Sequence, residues 1–412
     1  MAAPSLITAS GAQTPGSLFN IGSSLYAFVL DANQIQVWLS TDAGVTWNEQ
    51  DSAGRPNTNS SGTPGFATDG TILYAVYTNT SNVMAVSQFD TSSNLWTTTT
   101  VTTNSPNPAD TYVGYRAVDF TLIVYGAPDS LQIIGPPLQQ RIGVFLFDTS
   151  ALTFTNWVQS SGSIVTDDTV WDPVAVLQGN GNEFILISVQ SFLTGFPGAS
   201  FLWYQTFNGS TPSSVIQIDT APTDDIFWQS AKSNGSELVV AWQTNQSGTP
   251  QDLNVWKSPT APIGWALGAI SATGPINGWA QEIDADGTIN LLLSITVGGN
   301  SPFLQYQDAG AGFGLPSTVL PNFAWFVGAT AQINSSTPGW GIQFVATGGI
   351  FYLASTVISV ITGLLSSAGL QFAPIPSIGA VCRFGRDKRP GGHPPRTIQV
   401  GKAMSYPDWY VS

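Results

Sequence analysis

Apolar strand cores recur along this chain at a nearly constant interval, and no other feature limits its fold so strongly. Alternating segments begin at Leu25, Leu73, Leu122, Phe184, Leu238, Ile289 and Ile342, about 50 residues apart. A second series follows at Val37, Met84, Val144, Phe201, Leu253, Phe303 and Ile350. Leu25-Tyr26-Ala27-Phe28-Val29 and Asp252-Leu253-Asn254-Val255-Trp256-Lys257 carry the period of two that suits half-buried strands. No long stretch shows helical periodicity. Repeats of this length bury their apolar faces against one another. The pattern therefore predicts one all-β body, rather than the two or three domains that 412 residues would otherwise suggest.

Between two of these strands lies Ser40-Thr41-Asp42-Ala43-Gly44-Val45-Thr46-Trp47. The spacing predicts a hairpin in which Asp42 accepts backbone N–H groups, Gly44 takes a backbone geometry that other residues resist, and Trp47 folds back on the sheet. Gln307-Asp308-Ala309-Gly310-Ala311-Gly312-Phe313 keeps the same Asp-to-aromatic spacing, while Phe89-Asp90 to Trp96 and Phe147-Asp148 to Trp157 are looser echoes. The structural positions are thus Ser40, Asp42, Gly44, Trp47, Asp308, Gly310 and Phe313.

These stretches resemble the Asp-box, or BNR-repeat, β-propellers, a superfamily of sialidases, other glycoside hydrolases, and non-enzymatic lectin-like and assembly proteins. Together with the repeat, the resemblance implies a seven-bladed β-propeller of four-stranded antiparallel blades over residues 1–357, with a C-terminal extension over 358–412. Ser5-Leu6-Ile7-Thr8-Ala9-Ser10-Gly11 parallels Gly268-Ala269-Ile270-Ser271-Ala272-Thr273-Gly274, so the N-terminus is expected to lend an outer strand that closes the last blade. Residues 358–380 compete for that position.

An aromatic residue is expected at the start of the first strand of every blade: Phe19, Phe66, Tyr115, Trp171, Trp228, Trp279 and Trp325. First strands line a propeller's central channel, so these rings are either stacking platforms near its mouth or wedges between twisted sheets. As platforms, Trp171, Trp228, Trp279 and Trp325 would stack on sugar rings, with Asp172, Asp225 and Arg116 hydrogen-bonding hydroxyls.

The catalytic inventory is short. The single histidine, His393, lies in the C-terminal segment, which excludes a Ser-His-Asp or Cys-His site in the propeller and a zinc site of His or Cys ligands. No phosphate-binding glycine loop appears, and no cofactor or metal is expected. Sialidases need an arginine cluster, yet Arg55, Arg116 and Arg141 fall in three different blades, and the family's Arg-Ile-Pro signature is missing. A glycosidase needs only two facing carboxylates, for which Asp172, Asp225 and Glu282 are candidates. However, Asp167, Asp168, Asp224, Asp225, Asp284 and Asp286 flank strands where Asp commonly builds turns, and the turn reading is preferred. Asp284-Ala285-Asp286-Gly287 begins like a calcium loop but reads as a hairpin turn.

Charge is unevenly placed. Residues 1–380 hold five basic side chains against 23 acidic ones, and residues 381–412 hold six basic against two acidic. Arg383, Arg386, Lys388, Arg389 and Arg396 stand in a Pro/Gly-rich arm that ends in Tyr406-Pro407-Asp408-Trp409-Tyr410. Such an arm is either a disordered, solvated tail or a joint that docks on an acidic surface, on its own propeller or in a homo-oligomer or larger assembly. The acidic body disfavours nucleic acid. The Val357–Leu370 run is too short to span a bilayer of about 30 Å. No secretory signal is visible at Met1-Ala2-Ala3-Pro4, so synthesis in a cytoplasm is expected, and a particle component released by lysis would share these features. The sequence thus points to a non-enzymatic recognition module for glycans or another surface ligand. The alternatives are a structural component of a phage or virus particle jointed through the arm, and a propeller enzyme.

Overall fold

The computed structural model describes residues 4–355 apart from several connecting stretches, together with 370–372 and 382–384. The described residues form strands and no helix. After β1 (Ser5–Thr8), the first sheet comprises β2 (Gln13–Ile21), β3 (Ser24–Asp31), β4 (Gln34–Ser40) and β5 (Asn48–Gln50). The second comprises β6 (Gly65–Thr68), β7 (Ile72–Thr78), β8 (Met84–Asp90) and β9 (Leu95–Thr100). In the third, β10 (Pro108–Arg116), β11 (Thr121–Pro128) and β12 (Gly143–Asp148) are followed by two short strands, β13 (Thr153–Phe154) and β14 (Val158–Gln159), that both pair with β12.

The fourth comprises β15 (Asp168–Leu177), β16 (Phe184–Phe192), β17 (Ser200–Phe207) and β18 (Ile216–Ala221). The fifth comprises β19 (Asp225–Ser233), β20 (Glu237–Asn245), β21 (Asp252–Pro259) and β22 (Ala266–Ser271). The sixth comprises β23 (Ile276–Ile283), β24 (Ile289–Ile295), β25 (Phe303–Asp308) and β26 (Ser317–Leu320). In the seventh, β27 (Trp325–Asn334), β28 (Thr337–Ala346) and β29 (Gly349–Ala354) are completed by β1, which runs antiparallel to β29 with Ser5 opposite Tyr352.

Every pairing is antiparallel, and all but β12–β14 and β29–β1 join strands successive in sequence. The first strands β2, β6, β10, β15, β19, β23 and β27 pack each beside the next, and β27 packs beside β2. A closed succession of antiparallel sheets, each entered from the inside, is a β-propeller. Residues Ala3–Ala354 make one compact unit. Met1–Ala2 with Ser355–Ser412 make another, in which β30 (Leu370–Phe372) pairs with β31 (Cys382–Phe384).

Strand cores read from the alternation fall where strands form: Leu25 in β3, Leu73 in β7, Leu238 in β20, Ile289 opening β24. Ile342 differs, since it is well inside β28. Pro338, Gly339 and Gly341 break the alternation before it, although the backbone is already paired there.

The apolar cores lie between sheets. Tyr26, Phe28 and Val37 of the first sheet meet Leu73, Tyr77 and Phe89 of the second. Phe28 stacks on Phe66 with ring centroids 4.3 Å apart. The fifth and sixth sheets share Val239, Val255, Leu291 and Leu293, and the sixth and seventh share Leu292, Phe303, Trp325 and Phe344. Ile7, Leu18, Trp47 and Tyr352 close the seam between the first and seventh. Side chains of the second and third strands are buried on both faces because each sheet is covered by two neighbours, as in β24, where every residue is buried.

Candidate functional site

The aromatics of the innermost strands fall at unequal places. Trp171, Trp228 and Trp279 are each the fourth residue of β15, β19 and β23, whereas Trp325 opens β27 and Phe66 is second in β6. Phe19 and Tyr115 lie near the ends of β2 and β10, not at their starts. The expectation of an aromatic at each first-strand start therefore holds for Trp325 and nearly for Phe66, and is corrected for the others, three of which are fourth in their strands and two of which lie near strand ends.

Two of the four tryptophan candidates have described side chains, and both are buried. Trp279 sits in the core between the fifth and sixth sheets. Trp325 is fully enclosed, edge-on to Phe303 at 5.4 Å and tilted against Phe344 at 5.9 Å. Their indole N–H groups have no acceptor among the described residues. As placed, these rings wedge between sheets and offer no free face for stacking. The side chains of Trp171, Trp228, Asp172, Asp225 and Arg116 lie outside the described residues, although their backbones stand on β15, β19 and β10.

Most inner strands, though not β6, share one further trait. Their pairing register shifts between Trp171 and Val174, between Phe227 and Gln229, between Ile276 and Gly278, and between Trp325 and Gly328. Asp172 and Trp228 are thus bulge residues. Each first strand is an edge strand of its sheet, where bulges are common and re-aim side chains.

Glu282 does not join Asp225 at one mouth. It stands one residue before the end of β23, 3.2 Å from the ammonium of Lys232, which is one residue before the end of β19. Asp225 opens β19, about 20 Å away along the strand. That separation is too wide for the carboxylate pair of a glycosidase.

Lys232 instead ties three inner strands, since it also donates to the Thr330 carbonyl of β27 at 3.0 Å. Beyond Glu282, Asp284 is buried in the β23–β24 turn. Burial, reinforced by the negative charges of Asp286 and Glu282, pushes its carboxyl up to about 6, against hydrogen bonds from Asn290 and Gly339. Its Oδ1 has no hydrogen-bond partner among the described residues. The turn is a hairpin, with the Gly287 N–H on the Asp284 carbonyl at 2.9 Å and the Thr288 N–H on Asp286 Oδ1 at 3.0 Å. Among the described residues, no group of three or more His, Cys, Asp or Glu side chains is arranged to hold a metal ion. Sequence reading missed the Lys232–Glu282–Asp284 cluster, whose only sequence signal was a lysine near the end of one first strand and acids near the end of the next.

The turns between third and fourth strands are the best-defined polar structures. Asp42 Oδ1 accepts the Thr46 N–H at 2.9 Å and the Ser40 hydroxyl at 2.8 Å, and Oδ2 accepts the Thr46 hydroxyl at 2.6 Å. These donors, Thr46 foremost, hold its carboxyl down at about 2. Gly44 has φ near 89° and donates its N–H to Ser40 Oγ at 2.8 Å. Trp47 Nε1–H donates to the Gly44 carbonyl at 3.1 Å, and the Ser5 hydroxyl of β1 donates to the same oxygen.

At the equivalent turn, Asp308 Oδ1 accepts the N–H groups of Gly310 at 2.7 Å and Gly312 at 2.9 Å, while Lys257 of the neighbouring sheet pairs with Oδ2. Burial opposes the charge of Asp308, but Lys257 and the two N–H groups outweigh it and its carboxyl is lowered. Phe313 packs on the core of the fifth and sixth sheets. The arm residues Arg386, Lys388, Arg389, Arg396 and Trp409 lie outside the described residues, as does the Arg383 side chain.

No protein-family model and no curated protein matches the chain. Among solved structures, the β-propeller domain of the Trilobed protease from Pyrococcus furiosus aligns with 84% of this chain and 96% of its own, at 8% identity and a TM-score of 0.49. The Dos1 propeller aligns over 85% of this chain and 82% of its own, at 13% identity and the same TM-score of 0.49. A mutant of AofleA from Arthrobotrys oligospora covers 71% of this chain and 83% of its own, at 14% identity and a TM-score of 0.42. Among the described residues, no helix is long and apolar enough to cross a membrane.

Proposed function

We propose that this chain is a non-enzymatic propeller that serves as a rigid component of a larger assembly, with the segment after residue 380 as its joint. The observation that carries the reading is the opposition of charge: the first 380 residues carry 18 more acidic than basic side chains, and the last 32 carry four more basic than acidic. Opposite charges on body and arm steer copies together and fix their orientation. The propeller's own described cations are engaged internally, Lys232 with Glu282, Lys257 with Asp308 and Arg55 with Glu49. Light scattering on the full chain and on a version ending at Ala380, at matched concentration and salt, tests this. Assembly of the full chain alone supports the joint, and two monomers refute it.

A second reading, recognition of a glycan or another surface ligand, is favoured by the bulges at Trp171–Val174 and Phe227–Gln229 on neighbouring inner strands, since bulges recur next to binding sites. Its residues are Trp171, Trp228, Asp172, Asp225 and Arg116. Trp171→Ala and Trp228→Ala chains that stay folded and lose retention on a glycan array would support it, whereas unchanged retention or an array silent for the native chain would count against it.

A further inference from the structure

Seven large apolar side chains stand exposed among the described residues, and five of them occupy one position in the repeat. Val45, Leu95, Leu152, Ile216 and Leu315 all lie in, or at the end of, the link between a third strand and its fourth, in the first, second, third, fourth and sixth sheets. Leu315 is 97% exposed, Val45 70% and Leu95 60%. Neighbouring third strands end side by side: Lys257, near the end of β21, meets Asp308 at the end of β25. The Asp42 turn likewise abuts Tyr352 near the end of β29. The five side chains therefore share one rim. Isolated exposed leucines are ordinary, but recurrence at one repeat position around a ring makes a surface.

That rim is also acidic. Asp42, Asp90 and Asp148 stand beside Val45, Leu95 and Leu152, and none of them is buried. Each carboxylate accepts hydrogen bonds from its own turn, Asp90 from the Ser92 N–H at 2.8 Å and Asp148 from the Ser150 N–H at 2.8 Å, which holds its charge in a fixed place. Thr41–Trp47, Thr91–Leu95, Thr149–Leu152 and Ala309–Pro316 contain no lysine or arginine. We propose that this rim is the docking surface for the basic, aromatic-tipped C-terminal arm of a second copy of the chain. The inference rests on the assembly reading above and assigns that joint its partner surface. The guanidinium groups of Arg386, Arg389 and Arg396 meet the turn carboxylates, and Tyr406, Trp409 and Tyr410 cover the exposed Leu and Val side chains.

The test uses the full chain, mixed in heavy-isotope and ordinary forms, with zero-length coupling of lysine amines to carboxylates read by mass spectrometry, and light scattering in parallel. The native chain should assemble and should give heavy–light couplings from Lys388 or Lys402 to Asp42, Asp90 or Asp148. A Leu95→Ser, Leu152→Ser, Leu315→Ser variant with unchanged melting temperature should lose these couplings about tenfold, the change expected from one ordinary interaction. An Arg386→Gln, Arg389→Gln, Arg396→Gln variant should do the same. If the arm variant dissociates while the leucine variant assembles as the native chain does, the joint stands and this surface is wrong. A monomeric native chain overturns both. Couplings found only within single chains overturn the second copy as the partner.

Discussion

The rings of Trp47 and Tyr352 meet edge-on across the seam of the propeller, with centroids 5.2 Å apart and planes at 63°. Trp47 belongs to the first sheet's turn and Tyr352 to the last sheet's third strand, where Ser5 of β1 pairs opposite it. The Asp42 turn and the chain closure are thus one structure. Ser5 Oγ also accepts the Trp47 indole N–H at 3.3 Å.

Gly44 is the narrowest point of that contact, because a Cβ there would lie 2.0 Å from Tyr352 Cε1. Gly44→Ala should therefore cost about 2–4 kcal/mol, combining overpacking with a left-handed backbone. Gly70→Ala, at φ near 92° with nothing within 4 Å, isolates the backbone part and should cost only about 1 kcal/mol. Urea unfolding of the two variants measures the difference, and equal losses would show that the seam contributes nothing.

Lys257 and Asp308 make the clearest test of a buried pair. The Asp308 side chain is fully buried and that of Lys257 is largely so. Removing the cation alone by Lys257→Ala should destabilise by about 3 kcal/mol, because a carboxylate is left buried without its partner. In Lys257→Met/Asp308→Asn, the Asn oxygen can still accept the Gly310 and Gly312 N–H groups. That double variant should recover most of the loss, as a chemical-denaturation cycle would show.

Asp284 titrates against the fold. Its carboxyl is raised to about 6 by burial, so the folded state binds this proton more readily than the unfolded chain. Its ionisation therefore weakens the fold as pH rises through about 6, and the penalty vanishes below the ordinary value of 3.8. Asp284→Asn should stabilise by about 1–2 kcal/mol at neutral pH and be nearly neutral near pH 4. Melting temperatures of both chains across that range decide it, and a parallel pH dependence in the two would remove Asp284 from the account.

Trp325→Ala should act on stability. Its ring is enclosed by Phe303 and Phe344, so truncation should cost about 3–5 kcal/mol. A variant with an unchanged melting curve that lost a ligand would instead show Trp325 working as an open platform.

The apolar segments at Leu25, Leu73, Leu238 and Ile289 made strands legible because short, regularly spaced apolar runs suit strands, although these are buried on both faces rather than half-buried. The Asp42 and Asp308 turns were legible for a similarly local reason, since the backbone N–H groups their carboxylates accept lie within four residues, whereas the Lys257 partner of Asp308 comes from another sheet and was not legible. Nothing local distinguishes Trp325, enclosed between two sheets, from a tryptophan facing a channel. Nor does sequence position say that Glu282 meets Lys232 rather than Asp225, because that depends on which ends of two distant strands lie together. The sequence by itself determined the period, the strands and the hairpins, which arise from contacts between near neighbours. Tertiary structure alone decided which aromatics are wedges, which charges are paired and which turns share a rim, because those depend on closing the ring between Ser5 and Tyr352.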